Sequence, residues 1–184
     1  MAILTTAQKT ALKSFVQADP VLSLLPPNSD SYFTIAAALN VEAAGPWVVW
    51  RVTTAIDSIR NAIDWAKMTP AQAPDSTALQ TNKYLLAQAK QINLNNLLTG
   101  SSTVVPSGQA NLRAAFQDCL TQLPTKADGT NQPAGWTAVQ TVMQRNATIA
   151  EKILSTGTGT AVSPADLGWE GKLSTSDVQA FMES

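Results

Sequence analysis

Histidine is absent from this chain of 184 residues, and cysteine occurs once. The first absence removes the commonest general base, the base of the Ser-His-Asp triad and the commonest metal ligand. With one cysteine besides, zinc sites of the usual ligand types cannot be built and an internal disulfide is excluded. Cys119 shares a helical spacing with Leu112, Phe116 and Leu123, which makes it a core residue. Charge is also scarce: Asp, Glu, Lys and Arg supply 14% of the chain, where roughly a quarter is usual. The net charge is -1 and no run of either sign occurs, so no patch of cations is present in sequence to release counterions from phosphates. Sequence-specific nucleic-acid binding is therefore not expected. No window approaches eighteen uninterrupted apolar residues, and the opening MAILTTAQKTALK lacks the basic and apolar regions of a secretory signal. A soluble, non-exported protein without a membrane partner is the expectation.

What the chain does contain is uncharged polarity. Thr, Ser, Gln and Asn together account for 58 residues. Such a surface loses less on desolvation than one rich in Lys and Glu, which suits extensive subunit contact. Catalysis, if any, would rest on carboxylates, and the acids to weigh are Glu42, Asp57, Asp64, Glu151 and Glu170. Asp57 and Asp64 flank Arg60 at three and four residues, the pattern of a surface charge ladder. Glu151 beside Lys152 reads as solvated, and Glu170 follows Trp169 in a segment whose docking explains both. The alternating glycines of 156–160 follow a helix instead of a strand, so they lack the context of a dinucleotide loop. No catalytic residue, cofactor site or metal site is assigned.

The periodicity predicts an all-α protein: a helical bundle of three longer and two or three short helices, with one extended segment and an extended C-terminal arm. Thr5 and Gln8 form a capping box for a first helix carrying Leu12, Phe15 and Val16 on one face. Asp19-Pro20 starts a single turn over Val21 to Leu25, and Asn28 to Asp30 offer caps for a helix over Ser31 to Ala43 with Tyr32, Ile35, Ala36 and Leu39 on one side. The run Trp47 to Val52 has the aromatic and β-branched density of a strand. Ile56, Ile59 and Ile63 return to helical spacing, with Thr54 and Asp57 as a capping pair. A break at Met68 to Pro74 precedes the longer helices. These are Ser76 to Leu98 with Leu79, Leu86, Ala89, Ile92 and Leu97 inward, Gln109 to Leu123, and Trp136 to Ser155, stopped by Gly100, Pro124 and Gly157. The loop Thr125 to Ala134 is polar.

Two parts follow: a helical body over 1–156 and a C-terminal arm over 157–184 that docks on another subunit. The arm is too apolar to stay in solvent and too broken by glycine and proline for one long helix. Ser163 to Asp166 reads as one helical turn ending at Gly168, Trp169 to Leu173 as extended, and Ser174 to Asp177 as the cap of a terminal helix through Phe181. Val162, Leu167, Trp169, Leu173, Val178 and Phe181 are the candidate interface residues, with Trp169 as anchor.

Three stretches, TTAQKTALKSFVQADP at the start, WVVWRV followed by a helix and DW, and AEKILSTGTGTAVSPADLGWEGKLSTSDV at the end, give the chain a likeness across most of its length. It resembles small helical proteins encoded among the head and tail structural genes of tailed bacteriophages, of the neck or head-to-tail connector kind. The resemblance implies a virion protein assembled in the host bacterial cytoplasm. Its copies would form a homo-oligomeric ring, commonly a dodecamer, that adapts portal to tail and lets DNA pass, with a terminal arm lying against the adjoining subunit or the portal. The alternatives are a minor tail, baseplate or capsid-decorating protein, or a virion-associated cell-wall glycosidase using Glu170 or Glu42 as acid.

Overall fold

In the computed structural model, which describes residues 3–69, 78–99, 103–126 and 130–184, the chain is mostly helical but not purely so. In order it runs α1 (Thr6–Ala18), a 3-10 turn (Leu22–Leu24), α2 (Ser29–Leu39), β1 (Val48–Trp50), β2 (Thr54–Ala55), α3 (Ile56–Ala62), α4 (Trp65–Met68) and α5 (Ala78–Leu98). It continues through β3 (Val104–Val105), α6 (Ala110–Thr121), α7 (Trp136–Val142), β4 (Gln144–Asn146), α8 (Ile149–Leu154), β5 (Ser155–Thr156), β6 (Asp166–Leu167) and α9 (Thr175–Met182). The all-α expectation is corrected by three short antiparallel pairs among the described residues, β1 with β4, β2 with β3, and β5 with β6. Contacts divide the chain into two compact units, Met1–Trp50 with Gln144–Ser184, and Arg51–Met143. Neither boundary falls at 156/157, where the sequence suggests body and arm to part.

The first unit is built from both ends of the chain. Thr5 Oγ1 accepts from the Gln8 amide and the Gln8 side chain accepts from Thr5 N–H, so the predicted capping box opens α1. Asp19 Oδ1 then accepts from Val21 and Leu22 N–H, which nucleates the 3-10 turn. Asn28 caps α2, whose stripe Tyr32, Ile35, Ala36 and Leu39 is buried as the spacing requires. The helix ends at Leu39, short of Ala43, because the Asn40 side chain turns to the Leu173 backbone and the chain straightens into a bridge between Glu42 and Thr148. Against the α1 and α2 stripes pack Ala150 and Leu154 of α8 together with Trp169, Leu173, Val178 and Phe181. Ser174 and Asp177 supply the capping box that starts α9.

The expected helix over Trp136 to Ser155 is three elements. Thr148 and Glu151 form a second capping box that starts α8 afresh, and the stretch before it, Gln144–Asn146, is drawn out as β4. β1 needs that partner, since Val49 is fully buried at the centre of a short strand. Val48 faces Asn146, Val49 faces Arg145 and Trp50 faces Gln144. On its other edge β1 bonds the 159–165 segment: Val48 N–H donates to Gly159 O, Ala165 N–H to Val48 O and Trp50 N–H to Ala165 O. That demand also overrides the helical turn expected at Ser163 to Gly168, where Asp166–Leu167 is instead a strand paired with Ser155–Thr156.

The second unit packs α5 on α6, α6 on α7 and α7 on α3. Cys119 is buried beside Phe116 and Leu120 on one face of α6, and burial raises its thiol pKa. The inward face of α5 is Ala87, Lys90, Leu94 and Leu98; Leu86, Ala89 and Ile92, expected inside, are exposed, and Leu97 is half-buried. Lys90 shares that face with its stem buried, and its ammonium reaches Asp118 Oδ2 on α6 at 2.6 Å. Thr54 does not cap α3, which starts after Ala55 without a side-chain cap; its hydroxyl bonds Ser107 Oγ at 2.7 Å. The expected helix start at Ser76, the Leu79 side chain, the Gly100 stop and parts of the 68–74 and 125–134 loops lie outside the described residues.

Candidate functional site

The six residues expected at a subunit contact have separate fates. Trp169, Leu173, Val178 and Phe181 are at most 4% exposed and belong to the first unit's own core. Leu167 is half-buried against Val49, Ala147 and Ala165, and Val162 is 90% exposed on the loop between β5 and β6. The arm is thereby corrected: the burial it needs comes from α1, α2 and α8 of the same chain. The physical reason is that those helices expose an apolar trough wider than they can cover among themselves. Segment 165–182 fills it, tied down by Gln8 to Gly168 O at 2.8 Å and by Asn40 to both backbone groups of Leu173.

The weighed acids are engaged. Asp57 pairs with Arg60 at 3.4 Å, and Asp64 pairs with Lys67 at 2.8 Å; the Lys67 bond holds the Asp64 carboxyl below its usual range. Glu42 Oε1 accepts from Asn146 Nδ2 at 2.6 Å. Glu151, expected in solvent, is 2% exposed. It takes Arg145 on both oxygens at 2.7 Å and also accepts from Thr148 and Gly171 N–H. Burial would raise its pKa, but these bonds outweigh it and hold the carboxyl below its ordinary value. Its hydrogen bonds push Arg145 upward in turn, with Glu170 as a second acceptor at 2.8 Å. The cluster is a fastening between β4, α8 and segment 169–171, with the Arg145 guanidinium bonded to both carboxylates. Among the described residues no group of three or more Cys, Asp or Glu converges as metal ligands, and no helix is long and apolar enough to cross a membrane.

The candidate site lies elsewhere in the first unit. An open groove of about 450 Å³ is walled by Phe15 of α1, by Ala43, Ala44 and Trp47 on the approach to β1, and by Ile149, Lys152 and Ile153 of α8. Trp47 is fixed on two sides: its Nε1–H donates to Ser155 Oγ at 2.9 Å, and its ring lies flat on Gly159. Lys152 Nζ stands 5.1 Å from the indole centroid and makes no salt bridge among the described residues. The result is an apolar trough with an aromatic wall and the Lys152 cation at the rim, the composition of a binding surface.

Sequence reasoning missed this groove because its walls come from three separate stretches. Phe15 and Trp47 read as core or strand residues, and α8 read as the end of a longer helix. One local signal existed: the Thr148 and Glu151 capping box resets the helix and rotates Ile149, Lys152 and Ile153 to one side. No protein-family model, curated protein or solved structure matches this chain.

Proposed function

We propose that this chain is a structural, non-catalytic virion subunit, a neck adaptor whose copies form a ring between portal and tail at the head-tail junction of a tailed phage. The phage assignment rests on the sequence resemblance. The observation that carries the binding role is the groove at Trp47: about 450 Å³, apolar, open and lined by a rigid aromatic. Its surroundings support the same reading, since a surface with few charges loses little when another protein covers it. Exposed apolar side chains at Val21, Leu24 and Phe33 add area that a partner could cover. Trp169, Leu173, Val178 and Phe181 of the C-terminal segment are inside the first unit and do not take part in that contact.

Light scattering and negative-stain micrographs of the purified chain, alone and mixed with a portal ring, test the proposal. Closed rings, or binding to the portal, are expected. A strict monomer that ignores portal rings would overturn it, as would peptidoglycan turbidity falling on addition of the protein and ceasing to fall with Glu170→Gln.

A further inference from the structure

We infer that the Trp47 groove receives Phe33 from a second copy of this chain, with Asp30 of that copy paired to Lys152 at the rim. The inference rests on the assembly reading and names its contact. Phe33 is 66% exposed, an aromatic on the side of α2 turned away from the buried stripe of Tyr32, Ile35, Ala36 and Leu39. It does not line the groove. A lone exposed phenylalanine on a folded helix is a projection in search of a pocket, and burying it contributes more than any other exposed side chain of α2 can.

Charge selects the occupant. Asp30 lies three residues before Phe33, one helical turn away on the same face. Its carboxylate makes no ion pair among the described residues, and Lys152 makes none either. The chain therefore carries one projection of aromatic plus anion and one groove of apolar walls plus cation. Both sit on the first unit, and they are built from different residues. A contact between them is heterologous, each copy giving Phe33 and receiving one, so repetition closes a ring or runs on as a filament.

The test is sedimentation equilibrium on the full chain and on Phe33→Ser, Lys152→Glu, Asp30→Lys and the double exchange Asp30→Lys with Lys152→Glu. Concentration-dependent self-association is expected, weakened at least about tenfold by Phe33→Ser and by either single charge reversal, and restored by the double exchange. All three positions are exposed, so every variant should stay folded; Asp30→Lys in the first turn of α2 and Lys152→Glu in the last turn of α8 act against the helix dipoles and should lower the melting midpoint only slightly. If a variant melts early, a chain that keeps Phe33 and carries Ser29→Cys, one turn before it on α2, with Ala44→Cys gives the same answer, because oxidation should then produce a ladder of linked chains while Cys119 stays buried. Self-association that none of the variants weakens, with no ladder, overturns this contact and leaves the assembly reading in place. A chain monomeric at every concentration overturns the contact too, and if it also ignores portal rings the assembly reading falls with it.

Discussion

Arg145 and Glu151 face each other through two parallel bonds, Nη1 to Oε2 and Nη2 to Oε1, both 2.7 Å. The carboxylate is almost fully buried, and its remaining capacity is taken by the amides of Thr148 and Gly171. Four donors on one buried anion leave no room for partial loss: removing Arg145 strands a charge, and removing Glu151 strands the guanidinium beside a lone Glu170.

Acid lability follows from the sign of that arrangement. The folded-state pKa of Glu151 is depressed, so its contribution is present above the unfolded carboxyl value and is lost as pH falls through the folded one. Thermal melts from pH 7 down to pH 3 should show stability falling below about pH 4.5, and Glu151→Gln should flatten that limb while lowering the neutral-pH stability by about 3 kcal/mol. An acid limb unchanged by Glu151→Gln would place the pH dependence elsewhere.

Gly159 should not tolerate a side chain. Its φ is +65°, in the left-handed region, and a Cβ there would run into the Trp47 ring. Gly159→Ala therefore displaces the indole that walls the groove. A red-shifted, weaker tryptophan emission and a loss of about 2 kcal/mol are expected, together with weakened self-association. Gly45→Ala is the comparison: its φ is +73° but nothing lies within 4 Å, so it should cost less and leave Trp47 in place.

Truncation after Thr156 tests the reassignment of the C-terminal segment. As a free arm, residues 157–184 could be removed without harm to the body. As a part of the core they supply Trp169, Leu173, Val178 and Phe181, and Phe181→Ala alone should cost about 4 kcal/mol. Loss of cooperative unfolding of the first unit is expected from the truncation. A truncated chain melting like the parent would return the segment to the role of an arm.

These outcomes mark how far the residues could be read directly. α1, α2 and α9 are legible because each opens with a capping side chain and carries an unbroken apolar stripe, both local properties. The segment from Trp136 to Leu154 is not, because Val139, Met143, Ala147, Ala150 and Leu154 keep a helical period across a break in which Arg145 pairs with Val49, 96 residues away in the chain. The need to bury Trp169 is equally plain in the sequence, but hydrophobicity carries no address: it does not say whether the covering surface is a neighbour or the trough between α1 and α2. The groove was hidden for the same reason, its walls being brought together by tertiary contacts alone.

Asn40 is the sharpest probe of that long-range closure. Its Nδ2 donates to Leu173 O at 2.9 Å and its Oδ1 accepts from Leu173 N–H at 2.8 Å, so the amide takes the place of a strand partner for one residue of the C-terminal segment. Leu173 is 4% exposed, and its backbone would find no water if the amide were removed. Asn40→Ala should cost about 2 kcal/mol, seen as a lower midpoint in urea with an unchanged slope. Asn40→Asp keeps the shape but turns the donor into a second acceptor against Leu173 O, so it should be the worse of the two at pH 7 and, measured against the parent at the same pH, recover past Asn40→Ala toward the parent as acid gives it an O–H to donate. Equal losses at both pH values would mean that the amide acts by shape alone and that its donor contributes nothing to holding Leu173 in the core.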